Sequence, residues 1–110
     1  MADQGATLIT MDVPESTPRG AFVSGAGTLS SSLRAVGCLV EGTDVGETKA
    51  NVQVAGIALG LLGATVTAGA TLQANASGAL TADVTADSDL ECAVALEGGA
   101  AGELRRVKLI

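Results

Sequence analysis

One short phrase occurs twice in this chain, and it fixes more of the fold than any single residue does. Residues 41–47 read E-G-T-D-V-G-E and residues 97–103 read E-G-G-A-A-G-E, so Glu, Gly, Gly and Glu recur at the same offsets. An apolar run precedes each copy: Ala35-Val36-Gly37-Cys38-Leu39-Val40 before the first, Cys92-Ala93-Val94-Ala95-Leu96 before the second. A β-patterned run follows each, Val52-Gln53-Val54 and Val107-Lys108-Leu109. Strand, glycine-bracketed turn, strand is what this order encodes, because glycine reaches the positive φ that tight turns demand. Two hairpins of one design in 110 residues point to a small β-structure built from related halves.

The rest of the chain from Gly20 onward agrees. Short β-type runs at 20–24, 34–41, 48–54, 56–61, 64–67, 71–74, 79–84, 91–97 and 103–110 are separated by Gly25, Gly27, Gly42, Gly46, Gly69, Gly78 and the Gly98-Gly99 pair. Close spacing with repeated turn signals predicts an all-β fold, a small barrel or sandwich of short strands. Residues 55–64 also admit one short helix across the sheet, since glycine and alanine runs do not settle a period. Ahead of the body, residues 1–19 read as an extended N-terminal arm, leaving 20–110 as a single β-domain. Within the arm, Thr7-Leu8-Ile9-Thr10-Met11-Asp12-Val13 reads as a strand with Ile9, Met11 and Val13 on one face, stopped by Pro14 and Pro18; the alternative is an N-terminal tail that is simply flexible. Such a strand suits addition to a sheet edge, in its own subunit or in a neighbour. The expected interface residues are therefore Leu8, Ile9, Met11 and Val13, together with the single aromatic, Phe22.

Composition narrows the function. With no Trp, Tyr or His and one Phe, the core rests on Ala, Val, Leu and Ile. Small side chains bury little area each at about 25 cal/mol per Å², so association with copies or partners is an economical way to gain stability. A net charge of −6 and the lack of a basic stripe with interleaved aromatics argue against nucleic acid. No charged residue falls between Lys49 and Asp83, and a stretch that long, in so small a domain, is expected to offer surface to another protein. The acidic cluster Asp83, Asp87, Asp89, Glu91 and the basic cluster Arg105, Arg106, Lys108 read as solvated charge.

Chemistry is poorly provided for. Without histidine the usual base for a Ser or Cys nucleophile is missing. Glu41 with Glu47, or Glu97 with Glu103, could form carboxylate pairs of the glycosidase kind, but one phenylalanine cannot line a sugar cleft. The acidic cluster lacks the EF-hand pattern, two cysteines are too few for a structural metal site, and the glycines of residues 56–63 lack the ending of a phosphate loop. We therefore expect no enzyme activity, no cofactor and no metal. Cys38 and Cys92 sit among Val, Leu and Ala and are expected to be buried free thiols. Residues 54–70 are uncharged and contain Gly56-x-x-x-Gly60, the pattern of a packed membrane helix. Four glycines, two threonines and the lack of flanking basic clusters weigh against that single-span alternative.

Read as a whole, the C-terminal portion, about residues 33–110, resembles a known family. Val52-Gln53-Val54-Ala55-Gly56, Ala68-Gly69-Ala70-Thr71-Leu72 and Gly78-Ala79-Leu80 are followed by Ala93-Val94-Ala95-Leu96-Glu97-Gly98 through Ala101-Gly102-Glu103 and Val107-Lys108-Leu109. This order is similar to the small capsid cement, or head decoration, proteins of tailed bacteriophages. The chain departs from their pattern at Cys92-Ala93-Val94, where the closing motif usually carries a glycine. The resemblance implies a virion protein on the outer surface of the head, assembled in the host cytoplasm. Its implied partners are the major capsid protein, whose subunit seams it would clamp in the expanded shell, and copies of itself in a homotrimer. The alternative within the same class is another small virion component, a tail-tube or head-fibre base part.

Overall fold

In a computed structural model the described residues are 7–25, 27–29, 34–82 and 90–110. They form nine strands: β1 (Thr7–Asp12), β2 (Phe22–Ser24), β3 (Ala35–Leu39), β4 (Lys49–Ala55), β5 (Ile57–Leu61), β6 (Thr71–Ala74), β7 (Leu80–Ala82), β8 (Glu91–Ala95) and β9 (Leu104–Leu109). No α-helix occurs among the described residues. The predicted all-β class is observed, as a four-stranded sheet in the order β1-β4-β3-β2 and a five-stranded sheet in the order β5-β9-β8-β6-β7. The expected run at 64–67 is not a strand; it contributes one isolated bridge, Val66 to Gly99. Asp83, Asp87 and Asp89 of the acidic cluster lie outside the described residues.

The repeated phrase is the organising feature of both sheets. Its first copy joins β3 to β4, with Leu39 opposite Val52. Its second joins β8 to β9, with Ala95 opposite Val107. All four of these side chains are buried. Without β7, the two sheets have the same order, with the first strand beside the fourth and the second beside the third, as in a Greek key. β1 flanks β4 as β5 flanks β9, and β7 is an addition at the far edge. The five-stranded sheet also rolls toward closure, because Gly63 N–H donates to Leu80 O at 2.7 Å and Leu62 bridges Leu80 across the ends.

Residues 54–70, the segment with the composition of a membrane helix, are instead the end of β4, all of β5 and the link to β6. Gly56, with φ of 91°, turns the chain from one sheet into the other. That also removes the short helix over 55–64. No helix among the described residues is long and apolar enough to cross a membrane.

Strand period two sends side chains of the four-stranded sheet into two cores. Phe22 and Cys38 join Leu62, Leu72, Leu80 and Val107 between the sheets. Val23, Leu39 and Val52 face the other way and pack with Val13, Met11 and Leu29. Gly60 seats the only aromatic ring: a Cβ there would lie 2.8 Å from Leu80 Cδ1 and 3.1 Å from Phe22 Cε1.

The N-terminal strand adds to the edge of its own sheet, pairing antiparallel with β4 from Thr7 to Asp12. The proline-containing link behind it is stitched to the first hairpin loop. Thr43 N–H donates to Thr17 O at 2.8 Å, Thr17 N–H to Thr43 Oγ1 at 2.9 Å, and both threonine hydroxyls donate to Pro14 O, at 2.7 and 2.9 Å. Gly46 N–H donates to Glu15 Oε2 at 2.7 Å. Thr17 and Thr43 are buried, so these bonds satisfy polar groups that water cannot reach.

Candidate docking face

Each copy of the phrase folds into the same turn. In the first, Glu47 N–H donates to Asp44 O at 3.0 Å and Glu47 Oε1 accepts from Asp44 N–H at 2.7 Å. In the second, Glu103 N–H donates to Ala100 O at 3.2 Å and Glu103 Oε1 accepts from Ala100 N–H at 2.8 Å. Gly46 and Gly102 stand third in their turns with φ of 88° and 87°, the left-handed value that a type II turn requires there.

The flanking charges differ. Glu97 Oε2 accepts from Arg106 N–H at 2.9 Å and from its Nε at 3.2 Å, and Arg105 Nη2 lies 3.1 Å from Glu103 Oε1. The bond from the Arg106 backbone, then its guanidinium, holds the Glu97 carboxyl below its ordinary value. The Ala100 N–H, then Arg105, does the same for Glu103. In the first loop Glu41, Asp44 and Glu47 form no ion pair among the described residues; the nearby Lys49 pairs with Asp12 at 2.6 Å. The tip residue Val45 is 84 % exposed.

Beside this acidic loop runs an apolar groove of about 330 Å³, whose walls include Arg19, Val40, Gln53, Ile57, Leu59 and Arg106. Ile57 and Leu59 are the outward residues of β5, 50 % and 38 % exposed, opposite Lys108 and Arg106 on β9. Their backbone faces away from β9 and is partly covered: Gln53 Nε2 donates to Ile57 O at 2.8 Å, and the Cys38 thiol to Leu59 O at 3.8 Å.

The residues expected at an interface separate into two groups. Leu8 and Ile9 are exposed on β1, at 51 % and 43 %. Met11 is half-buried against the smaller core, and Val13 and Phe22 are interior, where this fold uses them for packing and not for surface. Val45, Ile57, Leu59 and Arg19 were not singled out from sequence. Ile57 and Leu59 alternate outward within the uncharged stretch, and that alternation was the available signal.

Both cysteines are free and buried. Burial, then the neighbouring Cys92, pushes the Cys38 thiol up to about 12; burial pushes Cys92 up to about 11, against the opposing Ala74 backbone bond and Arg34. Such thiols are protonated and poor nucleophiles at neutral pH. No group of three or more metal-ligating side chains occurs among the described residues.

Comparison with known proteins is decided by shape. No protein-family model matches the chain, and no curated protein matches it in sequence. Among solved structures it is similar to the head fiber gp8.5 N base of bacteriophage phi29, with a TM-score of 0.74 at 15 % identity. The match covers 96 % of this chain and 94 % of that one. The likeness is one of fold.

Proposed function

We propose that this protein is a structural component of a bacteriophage virion, seated on the outside of the head as a fibre base. The observation that carries this reading is the two-way fit to the phi29 head fiber base, which leaves neither chain with a substantial unmatched part. The chemistry supports it: the chain has no histidine, protonated thiols, and apolar strips edged by charge, which serve contact better than turnover. A second reading, head decoration at the seams of the major capsid protein, is supported by the resemblance of residues 33–110 to cement proteins, and it carries the homotrimer with it. Either role works by linkage. A protein that binds the assembled shell and not its free subunits stabilises the shell by mass action, and Leu8 and Ile9 on the β1 edge are the residues we assign to the head contact.

The test is the copy number of this chain in purified particles, by quantitative mass spectrometry against the major capsid protein. Sub-stoichiometric copies removed together with head fibres support the fibre base. A ratio near one per capsid subunit supports decoration, and absence from particles ends both readings.

A further inference from the structure

One face of the molecule carries two chemically opposite halves side by side. The acidic half is the first hairpin loop, where Glu41, Asp44 and Glu47 line a recess with a single cation, Lys49, in its wall, itself paired with Asp12, and Val45 projects into solvent. The other half is the groove, apolar along Ile57 and Leu59 and bordered by Arg19 and Arg106. Val40 lines both, so the halves adjoin. Arg19 forms no ion pair among the described residues, nor does Lys108, which lies opposite Ile57. Arg106 is paired with Glu97, so Arg19 and Lys108 are the two cations that the apolar strip holds without an ion-pair partner among the described residues, next to a loop whose carboxylates form no ion pair among them either.

We propose that this face joins copies of the chain, the acidic loop of one subunit covering the arginine-bordered groove of another, with Val45 laid against Ile57 and Leu59. Charge complementarity selects a second copy: the surface that best matches a basic, apolar groove is an acidic loop with an apolar tip, and the chain carries one. Because the halves adjoin, two copies can exchange loop for groove about a two-fold axis, which buries both halves of each face and closes the contact as a dimer; a head-to-tail contact closes only where its rotation completes a ring. Complementary charge at the rim fixes register and rejects wrong pairings. The inference deepens the self-association of the decoration reading by naming the face that joins the copies, and it does not rest on the virion role, since it is measured on the isolated chain.

The experiment is analytical ultracentrifugation of the full chain at low and high salt, with Asp44→Arg, Arg19→Glu and the double variant. The Asp44 side chain takes no part in the turn bonds, which use its backbone, so the reversal leaves the loop formed; circular dichroism checks this. We expect the wild type to associate, more weakly as salt rises. Each single reversal should weaken association by about tenfold or more, and the double variant should regain most of the loss. A wild type that stays monomeric at its highest soluble concentration overturns the proposal and leaves the groove to a different partner. So do single reversals without effect, or a double variant no better than either single.

Discussion

The two hairpin loops share a backbone and differ in what they do with charge. Both turn through a glycine at positive φ, and both return a glutamate to close the turn. The second loop then ties its carboxylates to Arg105 and Arg106 of the following strand and carries Ala101 where the first has Val45. The first loop gives its carboxylates no ion pair among the described residues, exposes its tip valine, and is braced instead by the N-terminal link through Thr17, Thr43 and Glu15. One copy ties its carboxylates to its own following strand, and its counterpart keeps an exposed tip valine and carboxylates without an ion pair among the described residues. A duplicated recipe thus keeps the turn and frees one copy for contact.

The largest test of that contrast removes the brace. Deleting residues 1–17 strips β1 from β4, takes Val13 out of the smaller core and leaves Thr43 unpaired. Burial of one valine alone is worth roughly 1.5–3 kcal/mol, and the lost hydrogen bonds add to it. We expect a loss above about 3 kcal/mol in chemical denaturation, with the first loop protected less from hydrogen exchange than the second. An unchanged midpoint would mean that the link is an ornament on an independent body.

Next in size are the thiols on the leading strand of each hairpin. Their folded values, about 12 and about 11 against an ordinary 9.0, mean that the unfolded chain ionises first. Stability from the two thiols is full below pH 9 and is lost as pH rises toward 11 or 12, at about 1.4 kcal/mol for each pH unit and each thiol. With reductant present, the alkaline unfolding limb should be shallower in Cys38→Ala than in wild type, and shallower by less in Cys92→Ala. Identical limbs would deny that burial sets either value.

The turns themselves come third. A Cβ at Gly46 or Gly102 meets nothing within 4 Å, so Gly→Ala at either costs only the left-handed backbone, about 1 kcal/mol. Equal losses at the two sites in thermal unfolding are expected. A much larger loss at Gly102 would show that the ion-paired loop is the stiffer one.

Much of this was legible because glycine and alternation act locally. Gly46 and Gly102 announce the turns; the β-type runs at 34–41, 91–97 and 103–110 contain β3, β8 and β9, and the run at 48–54 covers β4 except for its last residue, Ala55. The run at 64–67 failed because Val66 finds one bridge partner, Gly99, and no ladder. Non-local pairing was illegible for a related reason. Pro14 and Pro18 mark a break in the strand but say nothing of Thr43, whose hydroxyl ties that break to a loop 26 residues away from Thr17. The apolar face was hidden likewise: Ile57 and Leu59 read as ordinary strand residues until β5 is seen to lie beside the first sheet with its outer face toward solvent.

The smallest expected effect is the sharpest on the charge contrast. Hydrogen bonds from the Arg106 backbone and the Ala100 N–H hold Glu97 and Glu103 below the usual 4.5. A carboxylate with a depressed folded value contributes stability above its unfolded value and loses it as pH falls through the folded one. Glu97→Gln with Glu103→Gln should therefore lower stability slightly at pH 7 and flatten the acid limb below about pH 4.5, measured by urea midpoints across pH. Glu41→Gln removes a carboxylate that has no ion-pair partner among the described residues. It should leave stability at pH 7 unchanged and act only on association, where it strips charge from the presented loop. If Glu41→Gln lowered stability at pH 7 as much as the Glu97 and Glu103 pair does, the two loops would be electrostatic equals, and the contrast between structure and contact would collapse.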